Sequence, residues 1–202
     1  MARDGQGERF GPTRRGGPVF RWLGMPLALD LANTVMVGRE GEAVDLLGDQ
    51  EALGRWLQAE REHLGDCSFA HDHLEEIRAL RDAVRVLLVA AAEAAALPPE
   101  PLTRVNAASR AAPFTTEIAC DHLGELRAVE RAVGVDSLTE LLGKLARAAI
   151  AVLTGPDRQR LSVCHAPSCG MVFLGDRTWC TPMCGNRARA ARHYQRKKQT
   201  PK

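Results

Sequence analysis

The sequence has few aromatic residues and no long uninterrupted hydrophobic run. Phe, Trp and Tyr make up 4% of its 202 residues, although hydrophobic residues as a whole make up 45%. A composition poor in rings and rich in alanine favours helices that pack closely through small side chains. The longest apolar stretch, Val84 to Leu97, is interrupted by Arg85 and Glu93 and is too short to span a bilayer. We therefore expect a mainly α, globular protein without a membrane segment.

The first residues lack the apolar segment of a signal peptide. Residues 1–18 are instead rich in glycine and arginine, a composition that cannot bury enough apolar surface to fold. We predict a disordered leader over 1–18 and an ordered body over 19–155. Without an export signal, we expect a cytoplasmic protein, in which thiols stay reduced.

Motifs that mark common catalytic sites are also missing. The sequence contains no phosphate-binding glycine loop, no nucleophile elbow and no His-Glu-x-x-His pair. His63, His71 and His73 are too scattered to predict a metal site. We therefore expect no enzymatic activity.

Acidic residues are almost absent from the C-terminal quarter of the chain. Residues 157–202 contain ten Lys or Arg and two Asp or Glu, a net charge of +8, whereas residues 1–156 carry −6. The net charge of +2 for the whole chain hides this asymmetry. It predicts an anionic partner for the tail, with nucleic acid the first candidate.

Apolar residues recur at helical spacing through most of the body. Capping residues and prolines indicate where several of these helices begin or end. Four helices are expected: one over Leu27 to Val35, one capped by Asp49 and extending to Leu64, one over His71 to Leu97 that Pro98-Pro99 ends, and one over Leu102 to Ala111.

The last third of the body is harder to assign. The segment 114–135 begins with β-branched residues that favour a strand, but its second half fits a strand or a helix. Ser137 and Glu140 then form a capping box for a further helix. Gly155-Pro156 ends that helix and marks the boundary with a C-terminal unit over 156–202.

Four of the six cysteines follow the pattern Cys164-x4-Cys169-x10-Cys180-x3-Cys184. Four thiolates are the ligand set of a tetrahedral, structural zinc ion, and they leave no position for water or substrate. A bound metal also explains how so short a segment could fold with little core. We therefore predict one structural Zn²⁺ at these cysteines.

Local signals predict how these cysteines come together. Met171 to Phe173 favour a short strand, and a turn at Gly175-Asp176 followed by a return strand at Thr178-Trp179 would complete a hairpin. The final helix is then expected to begin with Thr181 as its N-cap and Pro182 as its first residue. A hairpin followed by a helix start predicts a treble-clef-like zinc finger.

Zinc competes with other uses of the cysteines. Disulfides are disfavoured by the compartment, a redox switch is not required by the spacing, and iron–sulfur clusters usually use other spacings. His165 and His193 could be rival ligands, but a complete cysteine set favours surface positions for both. Cys67 and Cys120 are expected to be buried apolar residues of the body.

A basic helix is expected after Cys184. At about 100° per residue, Ala188, Ala191 and Gln195 fall on the side of Cys184, and Tyr194 could pack on the finger. A loose solvated tail is the alternative, but the zinc anchor favours a cationic ridge that suits phosphates. The side chains expected to point outward are Arg189, Arg192, His193, Arg196 and Lys197.

Several of these motifs resemble known families. Trp179-Cys180, Cys184-Gly185-Asn186-Arg187 and Ala190-Ala191-Arg192-His193-Tyr194 resemble the CGNR zinc finger. The body resembles the ABATE domain, which usually precedes that finger. The matching stretches of the body are Leu27 to Thr34, Asp45 to Leu47, Leu53, Trp56-Leu57, Leu80 to Arg85 and Asn106.

The resemblance implies a bacterial, DNA-binding regulator of transcription under stress, with a small strand pair in the region 114–135. Its body would sense a small-molecule effector or form a homodimer. The alternative is an adaptor whose basic finger binds an acidic protein. The candidate DNA contacts are Arg177, Asn186, Arg187, Arg189, Arg192, His193, Arg196 and Lys197.

A candidate effector site involves three polar residues of the body. Asp30 and Asn33 are three residues apart, so they share one face of a helix. With Arg81 from the long helix, they could line a polar pocket. The sequence favours structural roles, in which they satisfy a helix end or a buried arginine.

Overall fold

The computed structural model describes residues 20, 25–64, 73–120 and 124–199. Over these residues the chain forms seven α-helices and three two-stranded antiparallel sheets, which confirms the predicted mainly α fold class. None of the described helices combines the length and the apolar character needed to cross a bilayer. The predicted leader over 1–18 and Cys67 lie outside the described residues.

The body begins with a short buried helix and a hairpin. Helix α1 spans Leu27–Ala32, and all of its residues are buried. Strands β1 (Val35–Val37) and β2 (Ala43–Asp45) follow and pair antiparallel. The predicted continuation of the helix into β1 is wrong. Thr34 Oγ1 bonds back to the Leu31 carbonyl at 2.7 Å, and the β-branched residues beyond it fit a strand better.

Two further helices come next, α2 (Gln50–Ala59) and α3 (Arg61–Leu64). The Asp49 carboxylate accepts a hydrogen bond from the Ala52 backbone N–H at 2.7 Å, which confirms the predicted cap. A single helix across this region is wrong, because the chain leaves helical geometry at Glu60 between the two.

The long helix α4 spans Leu74–Ala92 and is followed by α5, Pro99–Ala111. The predicted end of α4 lies too far along the chain. Ala94 adopts a left-handed φ of 53°, and the Ala95 N–H bonds to the Ala90 carbonyl at 2.8 Å, a C-terminal cap that satisfies a terminal carbonyl. The proline pair starts α5 instead of ending α4, since the first helical position needs no N–H donor.

The ambiguous segment forms a hairpin of β3 (Phe114–Cys120) and β4 (Leu126–Ala132). Most of the hairpin is exposed, including Ile118 and Leu126. Cys120 is exposed at the end of β3, so its predicted burial is wrong. A two-stranded hairpin without a covering layer buries few of its side chains.

Helix α6 spans Ser137–Thr154 and is the last helix of the body. Its cap is Asp136 instead of the predicted Ser137, because the Asp136 carboxylate accepts the Thr139 N–H at 2.8 Å. The helix ends at Gly155, as predicted. A short 3₁₀ helix over Pro156–Arg160 leads into the C-terminal unit.

The C-terminal unit consists of β5 (Leu161–Val163), β6 (Val172–Leu174) and α7 (Pro182–Gln199). Strands β5 and β6 pair antiparallel, with the first two cysteines on the turn between them. The predicted return strand at Thr178-Trp179 is wrong, because the strand that pairs with β6 precedes the first cysteine.

One hydrophobic core runs through both parts of the chain. Helices α1, α4 and α6 contribute fully buried side chains such as Leu29, Leu87 and Leu145. The same continuous core contains Phe173 and the four clustered cysteines. The finger is therefore packed on the body as part of a shared core.

Candidate metal centre and nucleic-acid interface

The four cysteine sulfurs meet where the β5–β6 turn touches the start of α7. Cys164 and Cys169 lie on that turn, Cys180 precedes α7, and Cys184 lies in its first helical turn. The four Sγ atoms lie within 4.8 Å of one another, and all four residues are buried. Cys180 Sγ lies 3.5 Å from Cys169 Sγ and 3.4 Å from Cys184 Sγ.

This arrangement fits a tetrahedral zinc ion. Four sulfurs about 2.3 Å from one zinc lie about 3.8 Å from each other. The observed separations among Cys169, Cys180 and Cys184 are 3.4 to 3.6 Å, and all four sulfurs lie within 4.8 Å of one another. An all-thiol set favours zinc over oxygen-seeking cations such as calcium. The four cysteines thus form one structural zinc site. Of the described histidines, neither His165 nor His193 belongs to the cluster.

The start of α7 positions the last ligand. Thr181 Oγ1 accepts the Cys184 N–H at 3.3 Å, and the Thr181 carbonyl accepts it at 3.1 Å. Thr181 is therefore the cap that the sequence predicts. Because Cys184 lies in the first turn, the helix dipole stabilises its thiolate.

The thiols share charge unequally within the cluster. The hydrogen bond from Cys180, the largest cause, lowers the pKa of Cys169 to about 5, although burial opposes the shift. The same hydrogen bond raises the pKa of Cys180. One sulfur of the set is therefore a thiolate at neutral pH, which favours capture of the metal.

Arg187 lies against the sulfur cluster. Its guanidinium donates to Cys184 Sγ at 3.0 Å and to the Ser168 carbonyl at 3.3 Å. Burial, the largest single cause, lowers its pKa, but the hydrogen bond to Cys184 and the negative charges of Cys184, Cys169 and Cys180 together outweigh burial, so the pKa of Arg187 is raised. A fixed positive charge here compensates a site made of four thiolates. The structure thus places this candidate DNA contact at the metal centre.

Buried polar groups of the body hold the cysteine turn. Asn33 Nδ2 donates to the Val172 carbonyl and Asn33 Oδ1 accepts the Val172 N–H, both at 2.8 Å. The Val37 N–H donates to the Cys169 carbonyl at 3.0 Å. These bonds join α1 and β1 to β6 and to a metal ligand.

Arg85 of α4 adds a second link. Its guanidinium donates to the Ala32 carbonyl at 3.1 Å and to the Gly170 carbonyl at 2.7 Å. Gly170 has a φ of 69°, and a Cβ there would lie 2.6 Å from Val37 Cγ2. Glycine is therefore needed both for its backbone geometry and for the close approach of the two parts.

Comparison with protein families identifies both parts of the chain. The sequence model of the ABATE family, described as "Putative stress-induced transcription regulator", matches residues 25–156, well over half of the chain. The chain belongs to the ABATE family. The model of the CGNR zinc finger matches residues 160–197, which contain the four cysteines and most of α7. Both predicted resemblances are confirmed. No curated protein matches the sequence.

Helix α7 of the CGNR finger carries six Lys or Arg residues, one histidine and no acidic residue. Lys197 is exposed. Arg177, which precedes α7, is exposed and lies with its guanidinium carbon 5.3 Å from the centre of the Phe173 ring. One open surface recess is lined by Arg189, Arg192, His193, Gln195 and Arg196.

The part of α7 that packs on the finger is shorter than the sequence predicts. Ala188 is buried against the finger and Ala191 is half-buried. Gln195 and Tyr194 are exposed, so their predicted packing on the finger is wrong. The Tyr194 ring instead lies 4.9 Å from Lys198 Nζ. The second half of α7 is therefore exposed beyond the part of the finger that it covers.

The three polar residues of the ABATE body are engaged separately. Asn33 holds Val172, as described above. Arg81 forms a two-point ion pair with Asp45, at 2.6 and 2.9 Å. Asp30 is buried, and its Oδ1 has no hydrogen-bond partner among the described residues. Arg81 thus pairs with Asp45 instead of Asp30.

Among the carboxyls that the structure describes, Asp30 has the most strongly shifted pKa. Burial first, and then the negative charge of Glu60, raise the pKa of Asp30 to about 8. Burial also raises the pKa of Glu60. His63, whose Nδ1 lies 3.1 Å from Glu60 Oε2, partly opposes this rise. Asp30 is therefore protonated over much of the neutral range.

Proposed function

We propose that this ABATE-family protein is a DNA-binding transcription regulator whose helix α7 docks on duplex DNA. The exposed basic side of α7 is the observation that carries the proposal. Arg189, Arg192 and Lys197 are exposed on a helix without a single acidic residue. Because the zinc site fixes the start of this helix, its charges form a ridge of defined direction.

Such a ridge suits the phosphate backbone. Each cation that neutralises a phosphate releases a condensed counterion, so affinity falls steeply as salt rises. Arginine and lysine also bind phosphates without regard to sequence. The ridge can therefore supply the non-specific part of DNA affinity, and the family supports a role in transcription.

The body would set the direction of α7. The zinc joins α7 to the cysteine turn, and Asn33, Val37 and Arg85 hold that turn to the body. An effector or a second subunit that moved α1 or α4 would therefore act on the finger through buried bonds. This connection is how we propose that the body regulates binding.

A salt titration with matched variants tests the proposal. Fluorescence anisotropy of zinc-loaded protein on labelled duplex DNA, from low to moderate salt, gives the slope of log affinity against log salt. Arg192→Ala with Lys197→Ala should reduce that slope by about two, since each phosphate contact contributes about 0.9. The control is Arg104→Ala with Arg110→Ala on α5, which removes the same charge from exposed positions of the body.

Two results would count against DNA binding by α7. One is no binding at low salt by protein with a full complement of zinc. The other is an equal loss in the α5 control, which would indicate a general effect of net charge. A protein partner that is retained after nuclease treatment, together with no binding to DNA, would favour the acidic-partner adaptor.

A further inference from the structure

The first two turns of α7 divide their side chains between the metal centre and the solvent. Cys184 binds zinc, Arg187 bonds to its sulfur, and Ala188 is buried. The exposed polar side chains in these turns are Asn186 and Arg189. Neither is needed to hold the zinc site, so both are available to a partner.

Asn186 and Arg189 contact each other. An Arg189 Nη donates a hydrogen bond to Asn186 Oδ1. A Cβ added to Gly185 would lie 3.0 Å from Trp179 Cδ1 and 3.7 Å from the other Arg189 Nη. Gly185 therefore leaves room for the indole against the helix, and the guanidinium lies at an ordinary contact distance beside it. The pair is held in place before any partner arrives, which lowers the entropy that binding must overcome.

Both side chains have the chemistry that reads base edges. An asparagine amide donates to adenine N7 and accepts from the adenine N6 amino group, and an arginine donates to both N7 and O6 of guanine. Oδ1 of Asn186 has two lone pairs, so one stays available beside Arg189. Arg189 likewise keeps further N–H donors after this bond.

The spacing of the pair is comparable to that of neighbouring base pairs. Residues three apart on a helix are separated by about 4.5 Å along its axis, and stacked base pairs by about 3.4 Å. Helices that read the major groove commonly do so with their N-terminal residues. We propose that Asn186 and Arg189 read an adenine and an adjacent guanine in the major groove, while Arg192 and Lys197 contact phosphates. This inference rests on the proposed DNA-binding function.

Selection from a random duplex library tests the division of labour. The zinc-loaded full chain is used as wild type and as Asn186→Ala, Arg189→Lys and Arg192→Ala. Wild type should enrich a site with adjacent guanine and adenine. Asn186→Ala should lose the adenine preference by about ten- to a hundred-fold but keep the salt slope. Arg189→Lys should relax the guanine position, and Arg192→Ala should weaken all sequences alike.

The outcomes separate this inference from the proposed function. Salt-dependent binding without any enriched site overturns base reading by the pair but leaves DNA binding intact. An unchanged site in both Asn186→Ala and Arg189→Lys also overturns it. A failure to bind any duplex overturns both. Zinc content and circular dichroism of each variant show that the finger is folded, which both exposed positions should permit.

Discussion

The side chain of Asn33 acts as a strand partner for Val172. Its amide bonds both the N–H and the carbonyl of Val172 at 2.8 Å, across 139 residues of sequence. Both residues are buried, so water cannot replace these bonds. One asparagine at the end of α1 thereby joins the ABATE body to the strand that follows the zinc turn.

Replacing Asn33 with alanine should destabilise the whole protein. The change leaves a buried donor and a buried acceptor on Val172 without partners, at a cost of about 2 to 5 kcal/mol in the free energy of unfolding. Denaturant unfolding of zinc-loaded protein measures this. Asn106→Ala is the control, because that half-buried side chain on α5 makes no hydrogen bond within the described residues. Equal losses in the two variants would contradict the role given to Asn33.

Removing zinc should loosen the body as well as the finger. The cysteines share one core with Leu29 and Leu87, so loss of the metal removes support from both. In a chain with Trp22→Phe and Trp179→Phe, the fluorescence of the fully buried Trp56 reports on the body. A strong chelator should lower the melting temperature of the body by at least about 10 °C. Each kcal/mol of lost stability shifts the melting temperature by about 2 to 4 °C, so this corresponds to a loss of about 2.5 to 5 kcal/mol. An unchanged Trp56 transition would mean that the finger folds separately.

Loss of Arg187 should weaken the metal site. Its guanidinium bonds Cys184 Sγ at 3.0 Å, and groups that support a ligand in this way typically change metal affinity about 10- to 100-fold. Arg187→Ala should therefore release zinc to a chromophoric competitor more readily than wild type. Arg192→Ala removes the same charge from the exposed side of α7 and should leave zinc affinity unchanged. If both variants behaved alike, net charge would explain the effect.

Asp30 should make the protein less stable as pH rises. Its pKa is raised to about 8 in the fold from 3.8, so the folded state binds the proton more tightly. The protonated Asp30 therefore stabilises the fold fully at low pH. Between about pH 4 and 8 this contribution to the free energy of unfolding is lost, by at most about 1.4 kcal/mol for each pH unit. The side chain of the Asp30→Asn variant cannot ionise. The stability of this variant relative to wild type should therefore be higher at pH 8 than at pH 6.

Comparing wild type with Asp30→Asn isolates the contribution of the Asp30 carboxyl to the pH dependence of stability. Glu60 and the cysteines titrate in both, so denaturant unfolding at a series of pH values gives a difference that reflects the replaced carboxyl. A constant difference between pH 6 and pH 8 would show that Asp30 keeps an ordinary pKa in the folded chain.

Several helices could be predicted because their signals are local. The Asp49 cap and the Gly155 stop act within one turn, so a few neighbouring residues define them. The sequence does not predict the helix end at Ala94, since a left-handed alanine has no sequence signature. It does not predict the exposure of Cys120 either, because burial depends on which other elements cover the hairpin.

The zinc ligands followed from spacing, but the role of Arg187 did not. Four cysteines at short separations in one segment define a metal site before any fold is known. Whether a nearby arginine faces the sulfur or the solvent depends on its rotation about α7. The Arg187 side chain contacts the Cys184 sulfur, whereas the Arg189 side chain is exposed to solvent. From the sequence alone, both are candidate DNA contacts.

By itself the sequence determined the ligand set, the uneven charge and the helical character of this protein, since each depends on residue type and short spacing. The tertiary structure decided that the finger is joined to the body, through the contacts of Asn33 and Arg85. Those contacts connect positions more than 80 residues apart. No local pattern encodes them, because they exist only after both parts have packed around one core.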